Sequence, residues 1–166
     1  LNLLPSGVVR KNKISIIGNG VVIDPWAFLN EIKQIRKLGI RISNKNLYIA
    51  ENAILILPLH KELDVIREDS KSSEKIGTTR RGIGPAYEDK AGRRGIRLMD
   101  LINKENLSKR IDMILFHHNS IRKGLGKKVV NKDQLMKDLL KISSEILKYS
   151  KPIWKKLEEF KKEKKT

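Results

Sequence analysis

The sequence contains no cysteine. Disulfides, thiolate nucleophiles and cysteine-based zinc sites are thereby excluded, and His60, His117 and His118 are the only imidazoles. No structural metal site is expected from so short a ligand list. No apolar run approaches the roughly 20 residues that a membrane-spanning helix requires. The longest covers residues 53–57, with Leu59 beyond Pro58. The opening Leu1-Asn2-Leu3-Leu4-Pro5 has neither a basic leader nor an apolar segment of signal-peptide length, so a cytoplasmic protein is expected. An initiator Met is also missing, and the strand-like sequence that follows at once predicts that the chain begins inside a larger protein. Acidic groups are outnumbered, 19 Asp and Glu against 36 Lys and Arg, for a formal net charge of +17. Clustered Lys and Arg release counterions from nucleic acid, which raises one reading, a basic RNA-associated module without catalysis. Against it, the lysines are spread along helical stretches, and no aromatic residues interleave with the basic ones. Nucleic acid is therefore the lesser alternative as a partner.

What is present suits a packed α/β fold. Apolar residues make up 39% of the 166, within the ordinary globular range. Val8-Val9, residues 14–17 and residues 21–23 are short apolar runs bounded by Gly and Asn, which read as strands. Asn19-Gly20 between them permits either a hairpin or a sharp exit from one strand. Asp24-Pro25 predicts a helix start, because Asp caps free amides and Pro fits the first helical position. Phe28, Leu29, Ile32, Ile35 and Leu38 mark its apolar face, and Gly39 ends it. Residues 47–50 form a further strand, and Leu59, Leu63 and Ile66 line a helix to about Glu68. Over residues 71–97 periodicity disappears, and eight Lys and Arg face three carboxylates. Helical spacing returns with Leu107, Ile111, Ile114 and Leu115, and again with Leu135, Leu139, Ile142, Ile146 and Leu147. The last stretch, residues 151–166, has Ile153, Trp154, Leu157 and Phe160 as its only apolar face. The division expected is residues 1–70 as strand and helix units, 71–97 as a binding loop and 98–166 as a helical subdomain.

Residues 76–97 pack hydroxyls, glycines and five arginines into one segment. Glycine lets backbone amides approach an anion, threonine donates to phosphate oxygens, and a guanidinium grips phosphate with two parallel hydrogen bonds. A phosphomonoester pocket fits that composition; so does a solvated basic loop whose glycines merely make turns. No Gly-x-x-x-x-Gly-Lys-Ser/Thr pattern occurs, so this is not a P-loop. Two other candidates carry less. His117 and His118 are neighbours on a helix and point about 100° apart, so they cannot converge on one ion and read as packing residues. His60 with Asp64 one turn away reads as a surface hydrogen bond, and Trp26 and Trp154 as core or interface residues.

The run TTRRGIGPAYEDKAGRRGIR, from Thr78 to Arg97, closely resembles the central signature of the adenylosuccinate synthetases. Similarity extends to Pro5-Ser6-Gly7, residues 16–22, Ala50-Glu51, the His60, Leu63-Asp64 and Arg67-Glu68 set, and His118-Asn119. The resemblance implies a segment of a larger, mostly parallel sheet of the P-loop-NTPase-like synthetase fold, with a helix-rich second half. It implies a GTP-dependent ligase of purine biosynthesis: with magnesium present, GTP phosphorylates the 6-oxygen of IMP, and L-aspartate displaces that phosphate to give adenylosuccinate. Thr79 resembles the threonine that contacts the IMP phosphate. Arg93 resembles the arginine that reaches the IMP of the neighbouring subunit of a homodimer. Thr78, Arg81, Gly82, Gly84 and Lys90 are the expected supporting residues. The family's Gly-rich phosphate loop, its catalytic Asp and its catalytic His have no counterpart here, so neither a catalytic residue nor a metal ligand is assigned to this chain, and the 166 residues alone are expected to be inactive.

Overall fold

The computed structural model describes residues 2–70 and 79–163. Val8-Val9 is not a strand. Pro5 and Gly7 favour a tight turn there, so Ser6–Val9 winds into a single 3-10 turn, with the Val8 amide donating to the Pro5 carbonyl at 3.1 Å and Arg10 to Gly7 at 3.0 Å. Strand β1 covers Ser15–Ile17 and β2 covers Val22–Ile23. The Asn19-Gly20 turn between them is an exit rather than a hairpin, because the two strands belong to different sheets.

Helix α1, Pro25–Lys37, starts as its sequence dictates. The Asp24 carboxylate accepts from the amides of Trp26 and Ala27, both at 3.1 Å, and Pro25 fills the first position. Phe28, Leu29 and Ile32 are buried, but Leu38 lies past the helix end and is 74% exposed. The buried face stops early because Gly39, at φ +80°, reverses the chain. Arg36 holds that reversal, donating from Nε and Nη2 to the Ile42 carbonyl and from Nη2 to the Tyr149 hydroxyl.

Strand β3, Leu47–Ala50, is buried along its whole length, as a central parallel strand must be, and β4 follows at Ile54–Leu55. β1 pairs with β3 and β2 with β4, both parallel. Ser15 lies beside Leu47 and Val22 beside Ile54, a constant offset of 32 residues. The two sheets therefore keep one register across two excursions of four positions each between paired residues, 18–21 after the Ile17–Ile49 pair and 50–53 opposite, although Ala50 still belongs to β3 through its pairing with Lys151.

Helix α2 covers Pro58–Ser70, and α3 covers Ile83–Ala91 inside the stretch expected to be irregular. Gly and Pro concealed α3. Pro85 sits at its third position, where the backbone N–H has no intrahelical partner to lose, and Gly82 supplies a left-handed cap. Helices α4, Lys104–Gly124, and α5, Lys132–Ile146, carry the expected apolar stripes, with Leu107, Ile111, Ile114, Leu135, Leu139 and Ile146 buried. Side-chain caps from Asn103 and Asn131 begin them. Strand β5, Ser150–Lys151, pairs in parallel with β3, so Ile49 lies beside Ser150. Helix α6, Ile153–Lys162, ends the described chain; Phe160 stacks on Tyr48, while Trp154 is 61% exposed and outside the core. Trp26 packs, partly buried, against the core. One core runs between β1, β3, α1, α4 and α5.

Asp24 also meets Lys61 of α2 at 2.5 Å, which separates two contributions. Asp24→Ala is expected to lower the unfolding free energy by about 1 kcal/mol through the lost cap, and Lys61→Ala by about 0.5 kcal/mol, because Asp24 is buried but keeps its two amide donors while the Lys61 end of the pair is partly in solvent. Urea denaturation of both variants measures the difference.

Candidate functional site

The segment containing the phosphate-binding candidates is built around α3, which packs against α2. The residue that caps α3, Gly82, lies against the α2 backbone and has φ +75°. A Cβ there would stand 2.6 Å from the Lys61 backbone nitrogen and 2.7 Å from the His60 carbonyl carbon, so only glycine allows the approach. The Gly82 amide donates to Asp64 at 3.0 Å. That bond corrects the expected surface contact between Asp64 and His60: α3 covers this face of α2, and both side chains are buried with other partners.

His60 is fully buried, with Nδ1 accepting from the Leu57 amide at 2.9 Å and Nε2 lying 3.0 Å from Asp89 Oδ2. His118, from α4, places its Nε2 2.7 Å from the same oxygen. Arg94 occupies the other oxygen, with Nε at 3.0 Å and Nη2 at 2.9 Å from Asp89 Oδ1. One buried carboxylate thus joins α2, α4 and the turn after α3. Burial alone would raise the Asp89 carboxyl, but hydrogen bonds from His118 and His60 outweigh it and hold it well below the usual carboxylate range. Burial lowers the His60 pKa, and its bond to Asp89 offsets only part of that.

The His60, Asp89 and His118 ligand atoms lie within 4.8 Å of one another, a spacing that invites a metal. Protonation argues otherwise. The Leu57 amide can only donate, so Nδ1 of His60 is the bare nitrogen and Nε2 carries the proton that Asp89 receives. With its Nε2 lone pair absent, His60 presents a hydrogen-bond donor rather than a ligand.

The expected site residues separate along α3. Thr79 and Arg81 are exposed just before the helix, and Gly84 has open space around its first turn. Thr78 lies outside the described residues. Lys90 reaches back to the β1–β2 turn, with Nζ 2.7 Å from the Asn19 carbonyl and 3.2 Å from that of Gly20, and the Tyr87 hydroxyl joins it on Gly20 at 3.1 Å. Arg93 follows the helix, exposed, at φ +58°. α3 has nine residues, a length of about 13 Å, and Thr79 precedes it while Arg93 follows it. Asp89, Arg94 and His118 were missed as a cluster in the sequence. Their signal was a carboxylate on the same helical face as Pro85 and Ala86, both buried, since a buried carboxylate requires partners.

The sequence model of the family described as adenylosuccinate synthetase matches residues 1–166. The chain belongs to the adenylosuccinate synthetase family. It is 51% identical, over 163 residues, to an adenylosuccinate synthetase of Wolbachia pipientis wMel, covering 98% of this chain and 38% of that protein. Its fold is similar to the fully ligated adenylosuccinate synthetase of Plasmodium falciparum, with a TM-score of 0.83 and 30% identity over 98% of this chain and 37% of that one. The chain therefore spans well under half the length of these relatives. The α/β fold expected as a segment of a larger synthetase sheet agrees with that match, and among the described residues no helix is long and apolar enough to cross a membrane.

The buried cluster makes stability depend on acid. In the unfolded chain His60 gains a proton as the pH falls through its ordinary value of 6.5, while in the folded chain it stays neutral to lower pH. The unfolded state then binds more protons, so stability falls below pH 6.5, and falls again below the ordinary Asp89 value of 3.8. His117, lowered by burial and then by the Arg94 charge, acts in the same direction. Melting temperatures measured from pH 7.5 to 5 are expected to decline, and less steeply in His60→Gln. Separately, Gly82→Ala is expected to cost about 3 kcal/mol or more in urea denaturation, because it both strains a left-handed residue and drives a Cβ into the backbone of α2.

Proposed function

We propose that the whole protein carrying this sequence is a GDP-forming IMP:L-aspartate ligase, a cytoplasmic homodimer, and that this segment supplies IMP contacts. In the reaction the terminal phosphoryl group of GTP passes to the 6-oxygen of IMP. The aspartate amine then forms the carbon–nitrogen bond as phosphate leaves with that oxygen. Thr79 donates its hydroxyl to the IMP phosphate of its own subunit, and Arg93 offers its guanidinium to the IMP held by the other.

The observation that carries this reading is the separation of the two residues at opposite ends of α3, both exposed. We place Thr79 at the IMP of its own subunit and Arg93 at the IMP of the other, so the two need not converge on one phosphate within a single chain. Arg81 and Gly84 flank the Thr79 end and add positive charge and open backbone there. The Gly82 amide and the Lys90 ammonium are held by Asp64 and by the β1–β2 turn, so their support is to shape the element. Magnesium and GTP act with residues that we place outside this chain, together with the catalytic Asp and His. Asp89 has both oxygens hydrogen-bonded within the protein.

The whole protein is expected to consume GTP only when IMP and aspartate are both supplied, and the 166 residues alone to consume none. Arg93→Leu should raise KM for IMP roughly tenfold or more, the equivalent of one lost charged hydrogen bond, while GTP binding stays nearly unchanged. Steady-state kinetics with each substrate varied in turn measures this; an equal loss for IMP and GTP contradicts the assignment.

A further inference from the structure

We infer that Arg94, anchored on Asp89, is a positioning residue that fixes the turn from which Arg93 projects; the inference rests on the IMP role proposed for Arg93. The anchor begins in the interior. His60 and His118 both hold Asp89 Oδ2, so the carboxylate cannot rotate, and its other oxygen faces the turn. Arg94 meets that oxygen through two nitrogens, Nε and Nη2. To do so its guanidinium passes over Gly92, where a Cβ would stand 2.4 Å from Nη1 and 2.6 Å from Cζ. Gly92 has φ −74°, which any residue adopts, so a side chain there would meet no backbone barrier but would displace the Arg94 guanidinium from its place over Asp89.

The main chain follows the same anchor. The Asp89 carbonyl accepts from the amides of Arg94 at 2.9 Å and Gly95 at 3.0 Å, closing a loop around Arg93. Arg93 itself is left-handed, a conformation that a long side chain adopts only when its surroundings impose it. Beyond the turn, a Cβ on Gly95 would come within 3.0 Å of Ile54, and the Leu55 amide donates to Ile96 at 2.8 Å, so the far end is fixed on β4. Arg93 is therefore held from both sides while its own side chain stays exposed. For a residue that must reach a ligand outside its own chain, the direction of the side chain is the property that matters, and a misplacement of about 1 Å can cost up to a hundredfold.

Gly92→Ala tests this without touching the buried carboxylate, its histidines or Arg93. In the whole protein, Gly92→Ala and Arg94→Gln are expected to raise KM for IMP roughly tenfold with KM for GTP within about twofold, and Arg94→Lys to recover part of the loss because an ammonium still reaches Oδ1. Amide exchange over residues 92–95 should quicken at least about tenfold in the first two variants. Gly124→Ala, in open space, is the control. Unchanged KM for IMP in Gly92→Ala and Arg94→Gln, with Arg93→Leu strongly impaired, overturns the positioning role while leaving the IMP assignment intact. Equal losses for IMP and GTP, or a lower melting temperature alone, overturn it as well, since they mark a merely structural role. Faster exchange with no effect of Arg93→Leu on IMP instead removes the functional reading, and the inference falls with it.

Discussion

The carboxylate of Asp89 accepts hydrogen bonds from three directions, and the arrangement of α2, α3 and α4 follows from them. A buried carboxylate is expensive unless each oxygen has a donor. Here one oxygen takes two imidazoles and the other a guanidinium, so the negative charge is matched by Arg94 while the neutral His60 contributes dipole alone. That arrangement dictates where each helix lies. His60 sits in the first turn of α2 and His118 late in α4, so neither helix can slide along the other without breaking a bond to a shared atom. Directional bonds to one oxygen specify geometry more tightly than an apolar contact of the same area.

Much of this was legible in the sequence because local rules and tertiary packing agree. The Asp24-Pro25 start of α1, the buried strand at residues 47–50 and the stripes of α4 and α5 are all consistent with their local chemistry. Disagreement came where one residue serves a long-range contact. Gly82 reads as a breaker but is a cap chosen for its approach to α2, and Gly92 reads as a turn but makes room for Arg94. Val8 follows Pro and Gly closely enough that turn geometry overrides its strand preference. Strand β5 was invisible for another reason: Ser150 and Lys151 have no strand-like pattern and pair only because β3 presents an edge.

The candidate site was legible to a different degree. Residue types suited to phosphate were plain at positions 78–97, but their arrangement was not, because composition carries no information about which end of a helix a residue occupies. Once α3 is in place, the same residues divide into two groups. Thr79, Arg81 and Gly84 gather at its start and Arg93 stands beyond its end, while Lys90 and Tyr87 brace the β1–β2 turn. The histidine pair illustrates the same limit. Adjacent positions 117 and 118 cannot converge with each other, yet His118 converges with a histidine 58 positions earlier, His60.

The constant offset of 32 between the paired strands has an evolutionary corollary. Because β1 and β3 are already in register before either excursion begins, a single residue gained in one excursion would slide β2 past β4 by one position and turn its buried side chains outward. Gains and losses of length at these two places are compatible with the fold only when they occur together, so in descendants of this sequence the two short excursions should drift in composition while keeping equal lengths.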